Sequence, residues 1–85
     1  MSSIRKGEFR FFSYSNDHNP PHVDIRKDRG KFKVYLAVEG RTKPEMGPRK
    51  RMSKIDAMKA FRLVCEHHEE MVTLWEKAHG KSKIR

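Results

Sequence analysis

Between residues 18 and 24 the chain reads His-Asn-Pro-Pro-His-Val-Asp, so two imidazoles and a carboxylate fall within seven residues of one another. Proline fixes its own backbone angle and restricts the residue before it, and Asn19-Pro20-Pro21 is therefore confined to extended or turn conformations. His18 and His22 stand at the two ends of that stiff connector, with Asp24 two residues further on. Two histidines and one carboxylate are the ligand set of open catalytic zinc and non-haem iron sites, and a divalent metal, Zn or Mn, is the cofactor such a set would take. Without a metal, one imidazole as base and the other as acid would cleave RNA, with Arg26 and Lys33 stabilising the phosphorane charge. The competing account is structural: Pro-Pro blunts an edge strand and the histidines are polar loop residues.

The charge points to what such a site would meet. Twenty Lys and Arg against eleven Asp and Glu give a net charge of +9 over 85 residues. Residues 26–54 hold eleven basic and three acidic side chains, so the positive field comes from the middle of the chain, with a basic tail at 80–85. A field of that sign draws in phosphates, which makes RNA or DNA the first partner to consider and an acidic protein the second. Arg49, Lys50 and Arg51 are the densest cations and would neutralise phosphates without regard to base sequence. Tyr14 and Tyr35 would stack on unpaired bases. Against this stands a solvated charge run of the kind common on small proteins.

Cys65 is the single cysteine, which excludes an intrachain disulfide, and the N-terminal stretch offers no apolar run for a signal-peptide core. No segment approaches the apolar length needed to span a bilayer, so the sequence reads as that of a cytoplasmic protein.

Hydrophobic period supplies the elements that must position these residues. Residues 8–15 are rich in aromatics and read as a strand behind a turn at Gly7. Val23 and Ile25 alternate with His22, Asp24 and Arg26, and the turn formers Asp28 and Gly30 close that segment. In residues 31–38 Phe32, Val34, Leu36 and Val38 share one face. Residues 39–52 contain two Pro and two Gly among five cations and read as a long basic loop. From Ser53 to about His79 apolar residues recur at spacings of three and four, giving one long helix with a bend expected near the charged residues 66–70, or two nearly continuous helices.

The expectation is one small α+β domain: a three-stranded antiparallel sheet over residues 4–38, with a C-terminal helix over 53–79 on one face. His22, Asp24, Arg26, Lys33 and Tyr35 then share the open face. Cys65 and His68 fall on the apolar stripe with Phe61, Met71 and Trp75, and read as a buried thiol and a core histidine rather than metal ligands beside Glu69. His67 and His79 are expected at the surface. A helix so long for so small a sheet also leaves room for self-association.

The run IRKGEFRFFSYSNDH followed by PPHV resembles the bacterial family of domain of unknown function 4160, and so does the C-terminal segment with His68, Glu70 and Trp75. Its most specific part is His18 to Val23. The usual form of that family carries a second histidine where this chain has Asp24, so the His-x-His pair is here His22 and Asp24. The resemblance implies an N-terminal β-hairpin and a setting beside another small protein, as in toxin–antitoxin modules. The reading that results is a nucleic-acid-binding protein of such a module, acting through Arg26, Lys33, Tyr35, Arg49, Lys50 and Arg51. A ribonuclease or phosphodiesterase using His18, His22 and Asp24 is the alternative, and an interaction module for a small acidic partner is the third.

Overall fold

A computed structural model of the chain describes residues 2–14, 20–38, 40 and 42–79. Five strands form one antiparallel sheet in sequence order: β1 (Ser2–Lys6), β2 (Phe9–Ser13), β3 (His22–Lys27), β4 (Gly30–Tyr35) and β5 (Glu45–Lys50). Two helices follow, α1 (Lys54–Glu66) and α2 (His68–His79). The α+β class is as expected, but the sheet has five strands rather than three; of the two forms expected for the helical segment, a single bent helix or two nearly continuous ones, the chain takes the second.

Both extra strands come from segments whose local composition argues against strand. β1, SSIRK, carries one apolar residue and is held by its partner: Gly7 at φ 60° makes the turn, and Lys6 then falls opposite Phe9 and Ser2 opposite Ser13. β5, EMGPRK, contains the Gly and Pro that read as a loop. A register irregularity opposite Phe32 and Val34 accommodates them, and proline is tolerated because β5 is the last strand of the sheet. A side chain at 47 would place its Cβ 2.9 Å from the Lys33 carbonyl oxygen, so glycine lets the two backbones close.

The helices cover one face. Ser53 caps α1 by accepting the Asp56 amide at 3.1 Å. The break falls at His67, whose φ and ψ of −119° and 36° leave the helical region while its amide still reaches the Leu63 carbonyl. That is the charged EHHEE segment, where few apolar contacts resist the bend. Ala57, Ala60 and Val64 from α1, and Met71, Leu74 and Trp75 from α2, pack on Phe9, Phe11, Val23, Ile25, Phe32, Val34 and Leu36.

The buried stripe of α1 is narrower than the apolar residues of its sequence. Cys65 is exposed rather than buried, and Ile55 and Met58 are also exposed, because packing runs through 57, 60 and 64. His68 is half-buried, and its Nε2 accepts the Ala37 amide at 2.8 Å. His79 is half-buried too, stacked on Trp75 with ring centroids 3.7 Å apart. Among the described residues no helix is long and apolar enough to cross a membrane.

Candidate nucleic-acid interface

Strand alternation sends Ile4, Phe9, Phe11, Val23, Ile25, Phe32 and Val34 to the helix side and their neighbours to the open side. The register then aligns the open-side cations. Arg5 lies opposite Arg10, Arg10 opposite Arg26, Arg26 opposite Lys31, and Lys31 opposite Lys50. One cation from each strand forms a continuous row across the whole sheet, and at about 4.8 Å per strand its ends stand roughly 19 Å apart.

No member of that row has an ion-pair partner among the described residues. Acids are spent elsewhere. Lys27 on the helix side is bridged by Asp56 at 3.0 Å and Glu8 at 3.2 Å, and Lys6 meets Glu70 at 2.8 Å. The hydrogen bond to Asp56, then that to Glu8, holds the Lys27 ammonium above its usual pKa, while Lys27 holds Asp56 and Lys6 holds Glu70 below the carboxylate norm. The cations of β1 and β3 on the helix side are thus paired, and the row on the open side is not.

Beside the row of five runs a second, mixed row: Phe12 opposite Asp24 and Asp24 opposite Lys33. Arg26 lies over the Phe12 ring at 5.8 Å, and Tyr14 stands parallel to Phe12 with centroids 6.0 Å apart. Two hollows flank the cations. One, of about 370 Å³, is lined by Arg5, Arg10, Phe12 and Arg26 together with Lys27 and the acids Glu8 and Asp28; the other, of about 360 Å³, by Asp24, Lys31, Lys33 and Lys50 with Phe32, Pro48 and Arg49.

Of the residues singled out in the sequence, Arg26, Lys33, Tyr35 and Lys50 lie on this face. Arg49 pairs with Phe32, and its Nη1 donates to the Met52 carbonyl at 3.2 Å, which draws its head away from the row. Arg51 follows the end of β5. Arg5, Arg10 and Lys31 escape a reading by composition, because only pairing turns scattered cations into a row. One signal was available: with a turn centred on Gly7 and Glu8, Arg5 must face Arg10.

His22 lies in the fold differently from its neighbours. It is 5% exposed, with Trp75 at 5.3 Å and Tyr35 at 6.2 Å from its ring centroid. Its Nδ1 is 2.9 Å from the Pro20 carbonyl, which accepts only, so Nδ1 is the donor of that hydrogen bond. Nε2 stands 3.9 Å from Asp24 Oδ2, on the same side of the strand. His18 lies outside the described residues, and among those described no group of three metal-binding side chains is gathered.

A family model described as Domain of unknown function (DUF4160) matches residues 8–76, which spans the fold from the first turn to α2. No curated protein and no solved structure gives a significant match.

Proposed function

We propose that this protein, which belongs to the family Domain of unknown function (DUF4160), binds RNA or DNA across the open face of its sheet. The observation that carries the reading is the row Arg5, Arg10, Arg26, Lys31 and Lys50. Like charges directly opposite one another weaken a sheet, and four such oppositions in succession are a standing cost that a bound polyanion relieves. Phe12 and Tyr14 beside the row offer ring faces to unpaired bases, which favours a single strand over a duplex. A role beside a partner protein, in a toxin–antitoxin-like module of a bacterial cytoplasm, is consistent with this face, since the helix side remains for that partner.

The test is fluorescence anisotropy with a labelled single strand of about 20 nucleotides, enough to overrun the row, at stepped salt. The double variant Arg10→Gln/Lys31→Gln should weaken binding more than ten-fold at low salt while circular dichroism is unchanged. Binding that ignores salt, or that survives the double variant intact, sinks the reading.

A second reading is favoured by one observation. The Pro20 carbonyl fixes the His22 ring through Nδ1 and turns Nε2 toward the Asp24 carboxylate at 3.9 Å, the pairing that a base or a metal ligand would use. A phosphodiesterase would use His22 as base, with His18 as acid or both holding a divalent metal with Asp24. RNA cleavage lost in His22→Ala, and its response to EDTA and to added Zn or Mn, decide that reading separately from binding.

A further inference from the structure

At one end of the cationic row the molecule closes a small pocket whose walls are Arg29, Lys31, Lys50 and Arg51 alone. Its volume, about 110 Å³, is room for several waters or one phosphate group. Lys31 and Lys50 are the last two members of the row, and Arg29 and Arg51 are not in it. No carboxylate lines the pocket, and none of the four cations has an ion-pair partner among the described residues.

The backbone around it is tightly constrained, and the same crossing seats Met52 in the core. Arg51 sits at φ 55°, in the left-handed region that disfavours a residue with a side chain, and Asp28 beside Arg29 sits at φ 54°. The segment carrying Arg51 crosses the β3–β4 turn so closely that a Cβ at Gly30 would stand 2.8 Å from the Arg51 carbonyl oxygen. Glycine at 30 therefore permits the crossing that brings Arg51 to the other three cations.

Charge balance selects the ligand. An internal phosphodiester carries one negative charge and two free oxygens, whereas a terminal phosphate carries about −1.5 to −2 at neutral pH and three. Four cations, two of them guanidinium forks suited to paired oxygens, are better balanced by the greater charge and third free oxygen of a monoester than by a diester. We infer that this pocket receives the terminal phosphate of a nucleic-acid strand lying along the row, so that the protein prefers phosphorylated ends. The inference rests on the nucleic-acid reading above.

The experiment compares one labelled oligonucleotide in three forms: 5′-phosphorylated, 3′-phosphorylated and hydroxyl at both ends. Binding is measured for the parent protein and for Arg51→Gly, which removes the guanidinium while suiting the backbone at φ 55° and so keeps the fold. One phosphorylated form should bind the parent about ten-fold tighter than the hydroxyl-ended strand, a preference that Arg51→Gly abolishes. Equal binding of all three forms overturns the inference, and so does an equal loss for all three in Arg51→Gly, which would make Arg51 one more diester contact. If no strand binds the parent, the nucleic-acid reading has failed instead. Calorimetry with pyrophosphate alone then judges the pocket: binding lost in Arg51→Gly keeps it as a phosphate site with a small-molecule source, and no binding removes it.

Discussion

Arg26 is the middle cation of the row, and replacing it should move stability and binding in opposite directions. It faces Arg10 on one side and Lys31 on the other, so Arg26→Gln relieves two directly opposed like-charge pairs. Each such pair costs about 0.2–1 kcal/mol, and the lost contact with Phe12 returns about 0.5–1 kcal/mol of that. The balance is a gain of about 0.5 kcal/mol at low salt, which for a domain of this size raises Tm by about 2–4 °C. In about 1 M salt, where the Debye length is roughly 3 Å, the gain should vanish. The same change removes one phosphate contact. If all five cations engage a single strand, log Kobs should fall with log salt at a slope of about −3.5, and Arg26→Gln should reduce that slope to about −2.8. Differential scanning fluorimetry at two salt concentrations and anisotropy across a salt series read both effects. A variant that melts lower at low salt and keeps the parent slope refutes the argument, because the row would then be neither self-repelling nor engaged.

Three further outcomes follow from the helix side. Burial holds the His68 imidazole below its usual pKa while its Nε2 accepts the Ala37 amide. The unfolded chain therefore takes up this proton first, and urea midpoints should decline as pH falls from about 6.5 through the lower folded pKa; a decline missing there, or equally present in His68→Gln, contradicts it. Lys27→Gln should raise the Asp56 carboxyl toward its ordinary value, followed by carbon-detected NMR, and an unmoved titration would mean that Lys27 does not hold it down. Trp75→Ala should cost about 3–5 kcal/mol, since the ring is 2% exposed in the core, whereas His79→Ala should cost less, about 1–3 kcal/mol for the stacking together with the 3.0 Å contact of Nδ1 with the Trp75 carbonyl; equal urea midpoints for the two would show that Trp75 is not the packing residue argued here.

What the sequence determined by itself is what repeats with a short period. The alternation in residues 22–27 and 31–36 placed Val23, Ile25, Phe32 and Val34 in the core and Arg26, Lys33 and Tyr35 outside it. The three-and-four spacing after Ser53 located the helical segment, and the charged residues 66–70 located its break. Tertiary structure decided what depends on partners distant in the chain. β1 and β5 lack the composition of strands and exist because a neighbouring strand satisfies their amides and carbonyls. Pairing also converted scattered arginines and lysines into one row, since register, which no single strand encodes, sets which cations face each other. The burial of His22 against Trp75 and the exposure of Cys65 were decided in the same way: a half-apolar side chain goes inside or outside according to which helix face the sheet has room to cover.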